Sequence, residues 1–301
     1  MKLQLKGIGV VVATPLNEDG TINEQEYRRH LRWLIKSGVG YVQPAAATGQ
    51  VMQTTDDEYR RLLKIAVEEC KGTGVLVTAY PGRADTAHSV ELTKYAAEIG
   101  ADAAYLVQPL FSRPDVKGLY EHYKAILDAV PGFPIVMYNN PDRTSVQVPI
   151  ELVERLSEEY PQIIGFKQAD PAQVPETFRR FGQKMHVWSR GEFDLLMVLS
   201  MGAPGSISFS GNIIAPQLVE VQRLWESGDI EAARKLFYKV FPVIMACHWG
   251  PIPSTIKYMM RRTGWNVGVP RLPIIDVDDA LAKRVDQALV DAGVIEASEL
   301  K

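Results

Sequence analysis

The chain has 301 residues, 46% of them hydrophobic and 23% charged, with a net charge of −3. This is the composition of a folded globular protein, long enough for one large domain or two small ones. The small negative charge excludes the basic footprint that nucleic-acid or anionic-membrane binding needs, and no stretch nears the ~18 uninterrupted apolar residues of a membrane span.

In chain order, short β-rich runs alternate with amphipathic helical stretches. Gly7 to Leu16 is apolar but runs at once into Asn17, Glu18 and Asp19, so it reads as a first core strand and not as an export signal. The spacing predicts strands at Ile8–Val12, Tyr41–Ala45, Val75–Tyr80, Ala103–Val107, Pro134–Asn139, Ile163–Lys167, His186–Ser189 and Ser206–Ser210. Most are apolar throughout, as expected of parallel strands covered on both faces. Asn23 is placed to cap a helix through Tyr27, Leu31 and Leu34, with Glu26 completing a capping box. Thr55 or Asp56 opens the next helix and Thr86 the one after. Gly118–Val130, Pro149–Tyr160, Pro175–Phe181 and Glu192–Met201 follow. Beyond the eighth strand come helices at Pro216–Ser227, Ile230–Cys247, Pro253–Thr263 and Asp278–Ala292. Eight β-then-α units predict a (β/α)8 TIM barrel over residues 1–225, with a C-terminal helical extension over 226–301. A doubly wound sheet would fit the same alternation, but no G-x-G-x-x-G follows the first strand.

Two strand ends carry chemistry. The run Ile163-Ile164-Gly165-Phe166-Lys167 is a buried strand that closes on a lysine. Burying that lysine is costly, and a chemical reason for it is an amine kept neutral to attack a carbonyl. Each unit by which its pKa falls requires about 1.4 kcal/mol of destabilisation of the ammonium form. Upstream, Tyr138-Asn139-Asn140-Pro141-Asp142-Arg143-Thr144 offers a phenol for proton transfer and a guanidinium for a carboxylate. Ala47-Thr48-Gly49 offers a hydroxyl and backbone N–H groups to a second carboxylate. The plain alternatives are a strand-end aromatic at Tyr138, a pairing of Arg143 with Asp142, and a simple turn at Thr48-Gly49. Ser210-Gly211-Asn212 fits a phosphate loop or, better, an ordinary βα turn. In a barrel the functional residues lie at strand C-termini, where all of these fall. Two distant cysteines, Cys70 and Cys247, form no disulfide framework and suggest a cytoplasmic protein. Five scattered histidines form no metal-like cluster, so no metal is expected.

At these residues the chain resembles the dihydrodipicolinate synthase / N-acetylneuraminate lyase family of Schiff-base barrels. The family's Y-N-x-P-x-R-T signature is similar to Tyr138–Thr144, and its I-G-x-K segment to Ile164–Lys167. Its G-[TS]-T-G-E loop resembles Ala46–Gln50, and its G-x-x-G-x-I-S segment Gly202–Ser208. The resemblance implies Lys167 as Schiff-base residue and Tyr138 as proton relay. It implies substrate contacts at Thr48, Ala47, Gly49, Arg143, Ile207 and Phe111, no cofactor, and a homotetramer built from dimers. The pattern departs at three positions. The first threonine of the loop is Ala47, its glutamate is Gln50, and the second relay tyrosine, which the family supplies across a dimer interface, falls at Phe111. Neither alanine nor phenylalanine carries a proton.

The expectation is a Schiff-base-forming lyase, an aldolase or retro-aldolase, acting on pyruvate or a longer 2-oxo acid with an aldehyde as second partner. Three other readings stand beside it. They are a dihydrodipicolinate synthase with a modified relay, a 2-keto-3-deoxy sugar-acid dehydratase, and a 2-oxo-acid-binding protein without turnover.

Overall fold

The computed structural model describes residues 3–299. The strands are β1 Gly7–Val11, β2 Tyr41–Gln43, β3 Leu76–Ala79, β4 Ala103–Val107, β5 Ile135–Asn139, β6 Ile163–Gln168, β7 His186–Trp188 and β8 Gly205–Ser208. The first helices are α1 Glu24–Lys36, α2 Asp56–Cys70, α3 Thr86–Glu98 and α4 Val116–Ala129. After β5 come the single turn α5 Pro141–Thr144, then α6 Ile150–Glu159, α7 Val174–Phe181 and α8 Leu195–Ser200. The last are α9 Gly211–Glu226, α10 Ile230–Ala246, α11 Ile252–Arg262 and α12 Asp279–Asp291. The protein is a (β/α)8 barrel with a C-terminal helical part, and all eight expected strands are present.

Two compact units are distinguished. One comprises Leu76–Ser206 with residues 3–6. Its strands β3 to β7 lie side by side in chain order. Their parallel registers pair Val107 with Tyr138, Tyr138 with Lys167 and Lys167 with Trp188. Every residue of β4, β5 and β6 is buried, which explains why these strands read as unbroken apolar runs. The other unit comprises Gly7–Val75 and residues 207–299. In it β1 and β2 are parallel, with Gly9 opposite Tyr41.

Helix starts differ from expectation where side chains find better partners. Asn23 does cap α1 through the Glu26 N–H, but the capping box does not form. The Glu26 carboxylate turns instead to Arg29 at 2.8 Å and to the Asn266 N–H at 2.7 Å. At α2 the box is complete between Thr55 and Glu58. Helix α3 is capped by Asp85, not Thr86, through the His88 N–H. A carboxylate accepts that bond as a charged acceptor, and so outcompetes the neighbouring hydroxyl. Helix α9 begins at Gly211, five residues before Pro216, with its kink at Ile214.

Candidate active site

Lys167 lies on β6 and Tyr138 on β5, facing each other across one parallel ladder. Residues in register on neighbouring strands point to the same face, so the two side chains meet. The ammonium nitrogen is 4.4 Å from the Tyr138 ring centre and hydrogen-bonds the phenol. Lys167 is only 3% exposed. Burial pushes its pKa below the ordinary lysine value. Tyr138 and Glu192 oppose that shift, and the Arg143 guanidinium adds to it. A lysine with a lowered pKa has a larger neutral fraction near neutrality, and the neutral amine is the nucleophile.

The space for this arrangement comes from Gly165, two residues before Lys167 and on the same face of β6. A Cβ there would lie 2.5 Å from the Trp188 ring and 2.7 Å from the His186 carbonyl. Glycine at this position lets the fully buried indole of Trp188 fill the floor beneath the lysine.

Tyr138 is oriented by Asn140, whose amide nitrogen donates to the phenol oxygen at 2.6 Å. Asn140 is held in turn by a buried amide network. Its N–H donates to Gln108 Oε1 at 3.2 Å. Gln108 Nε2 donates to Asn139 Oδ1 at 3.0 Å and to the Val146 carbonyl at 2.6 Å, and Asn139 Nδ2 donates to Gln168 at 2.8 Å. Gln108 is therefore buried scaffold. Arg143 sits exposed at the end of α5 and makes no ion pair among the described residues. Its neighbour Asp142 pairs with Arg190 at 3.0 Å, so the plain pairing of Arg143 with Asp142 is not formed.

The sequence reading missed the acidic side of this site. Glu192 and Asp194 form the short turn after β7, and Glu192 is fully buried. Ser189 donates to Asp194 Oδ1 at 2.6 Å. Burial raises the Asp194 pKa, and the Glu192 charge adds to the rise. The available signal was two carboxylates in the otherwise apolar stretch Glu192 to Leu199. Among the described residues no cluster of three or more His, Cys, Asp or Glu is arranged to hold a metal ion.

The other expected residues follow β2, belong to β8 or follow β4. Thr48, Ala47 and Gly49 follow β2 in the second unit. Thr48 is fully buried, and its hydroxyl has no hydrogen-bond partner among the described residues. Gly49 packs so closely that a Cβ would meet Thr14 Oγ1 and the Val12 carbonyl at 3.0 Å each. Gln50 is left-handed (φ 61°). Its amide donates to the Arg271 carbonyl and accepts from the Arg271 N–H, both at 3.1 Å. Glutamate, with no donor when ionised, cannot make both bonds. Ile207 is fully buried in β8. The turn Ser210-Gly211-Asn212 is an ordinary βα turn, with Asn212 spent on Ala13 N–H, the Val11 carbonyl and His30. Phe111 is 94% exposed on left-handed backbone (φ 69°), a costly conformation for a bulky side chain.

The fold is that of a (β/α)8 barrel, and comparison with known proteins adds its family. The sequence model of the Dihydrodipicolinate synthetase family matches residues 4–292, and the chain belongs to that family. It is 35% identical over 292 residues to the 4-hydroxy-tetrahydrodipicolinate synthase of Thermodesulfovibrio yellowstonii, covering 96% of this chain and 99% of the relative. Identity to the enzyme of the same name from Nitratidesulfovibrio vulgaris is 33% over 298 residues, 97% of this chain and all of the relative. Among solved structures, dihydrodipicolinate synthase from Acinetobacter baumannii, chloride-inhibited and complexed with pyruvate, superposes with a TM-score of 0.91 at 29% identity. That match covers 97% of this chain and 100% of the other. The enzyme from Cyanidioschyzon merolae with lysine bound also gives 0.91, at 26% identity, over 97% of this chain and 99% of the other.

Proposed function

We propose that the protein is a lyase that forms an iminium between Lys167 and the C2 carbonyl of pyruvate or a longer 2-oxo acid. The observation that carries this is the buried Lys167 amine, with its pKa lowered by burial and hydrogen-bonded to Tyr138. The neutral amine adds to the carbonyl carbon. Tyr138 gives its proton to the carbinolamine hydroxyl, which leaves as water and yields the protonated iminium and a phenolate. The iminium then withdraws electrons from C3, so that a C3 proton leaves or a C3–C4 bond breaks or forms. No cofactor is required. Arg143, cationic and without an ion pair among the described residues, is suited to the carboxylate of a second, aldehyde substrate. Thr48, Gly49, Ala47 and Ile207 are proposed contacts of the pyruvate moiety, and the buried unpartnered Thr48 hydroxyl supports that role. Phe111, held outward on strained backbone, supports a homotetramer in which it packs against a neighbouring subunit. A cytoplasmic setting fits this chemistry.

A second reading, 4-hydroxy-tetrahydrodipicolinate synthase, is favoured by the names of the relatives and by the presence of Arg143. The test is turnover of pyruvate with aspartate semialdehyde and with a panel of other aldehydes, read by product mass. Product from aspartate semialdehyde alone selects the synthase, and product from another aldehyde selects a different aldolase. In either case the Lys167→Ala variant should be inactive with its fold intact. Wild-type turnover by that variant would exclude the iminium mechanism.

A further inference from the structure

The iminium reading leaves Tyr138 as a phenolate that must be reprotonated in a buried site. Its closest hydrogen-bonding neighbour cannot do this, because Asn140 offers an amide and an amide has no proton to give at neutral pH. A second phenol stands beside it. Tyr80, the residue after β3, is nearly buried, and its ring meets that of Tyr138 edge to face with centres 6.4 Å apart. Arg83 is fixed at the same strand end, donating to the Tyr80 carbonyl at 3.2 Å and the Gly82 carbonyl at 3.0 Å. The charges of Arg83 and Arg143 both act on the Tyr80 phenol.

We infer, resting on the iminium reading, that Tyr80 resupplies the proton that Tyr138 gives to the carbinolamine. The O–H bond of Tyr80 breaks as the O–H bond of Tyr138 re-forms, directly or through one water. The negative charge moves to the Tyr80 oxygen, where the Arg143 and Arg83 charges offset part of what burial costs it. A water at the strand end then returns the proton to Tyr80. Burial keeps the free Tyr80 phenol protonated through the neutral range, so it holds a proton when the cycle begins. Tyr80 acts through Tyr138 and does not touch substrate. It serves from the same chain, whereas Ala47 and Phe111 have no proton to carry.

The experiment follows exchange of the pyruvate methyl protons in D2O by NMR, which needs no second substrate. It compares wild type, Tyr80→Phe, Tyr138→Phe and the double variant, after borohydride trapping has established the Lys167 adduct in wild type and in Tyr80→Phe. Tyr80→Phe should exchange about tenfold more slowly or worse, with an unchanged melting temperature. The double variant should match Tyr138→Phe within about twofold, because the two hydroxyls act in series. Added imidazole, a diffusible proton donor, should restore exchange in Tyr80→Phe. Wild-type exchange by Tyr80→Phe overturns the relay. So does a loss that imidazole leaves unrelieved and that multiplies with the Tyr138→Phe loss. If wild type forms no adduct with any 2-oxo acid, the iminium reading falls and the relay with it. An adduct with unaffected exchange in Tyr80→Phe overturns the relay alone.

Discussion

Lys167 shows how one residue is set by opposing terms. Desolvation disfavours its ammonium form, while the fully buried Glu192 turns part of that loss back. The amine reacts only when neutral, so the rate of iminium formation should rise with pH along a limb lying below the ordinary lysine pKa. Glu192→Gln removes a negative charge that favours the ammonium, so the Lys167 pKa falls further. The limb in a profile of trapping rate against pH should therefore move to lower pH. An unchanged or alkaline-shifted limb would remove Glu192 from the electrostatics of the lysine. Lys167, Tyr138 and Arg143 were legible in the sequence because each residue type is unusual where it stands. Glu192 and Asp194 were not, because nothing in a linear reading shows that the turn after β7 folds towards the lysine. Asn140 was half legible. A residue two places from Tyr138 on an extended segment shares its face, but the contact to the phenol depends on a χ angle that no sequence pattern gives.

At the scale of elements, β6 and β7 form a fitted pair. Gly165 is small because Trp188 is large, and the lysine stands above both. Gly165→Ala places a methyl against the indole and against a backbone oxygen that cannot give way. Overpacking of this kind costs about 1–3 kcal/mol. The urea midpoint should drop accordingly while trapping by the surviving folded fraction slows, because the strand that aims Lys167 is displaced. A variant of wild-type stability would mean that Trp188 has room to move. The strands themselves were readable to within two residues at each end, since burial on both faces makes them apolar throughout. Helix starts were less so. Asp85 against Thr86, and Glu26 leaving its box for Arg29 and Asn266, were decided by competition between local caps and tertiary partners, and only the latter are hidden from local sequence.

For the molecule as a whole, the (β/α)8 order was legible because its period is carried by every unit, and family membership agrees. Less legible was the way the segment after α11 is held. Arg271, in that segment, reaches Glu58 and the carbonyls of Gly20 and Gln53, contacts separated by more than two hundred residues of sequence. In the same region Lys257, fully buried on α11, donates to the Val269 carbonyl at 3.0 Å. Burial, reinforced by Arg261 and Arg271 and opposed by Asp276, lowers its pKa to about 7. Below that pH the folded protein holds a buried charge. Between about 7 and the unfolded value of 10.5 the unfolded chain binds the extra proton, so this group's contribution to stability improves as pH rises. Relative to Lys257→Met, wild type should gain about 2 kcal/mol between pH 7 and pH 9. Chemical denaturation of both proteins at the two pH values measures the difference, and a constant offset would place the Lys257 pKa elsewhere.

The most direct test of the central claim is reduction with borohydride in the presence of pyruvate, followed by intact mass and peptide mapping. The account predicts one reduced pyruvyl adduct per chain, located on Lys167 and absent from Lys167→Ala. An adduct on another lysine, or a folded wild-type protein that stays unmodified with pyruvate and with longer 2-oxo acids, would contradict it.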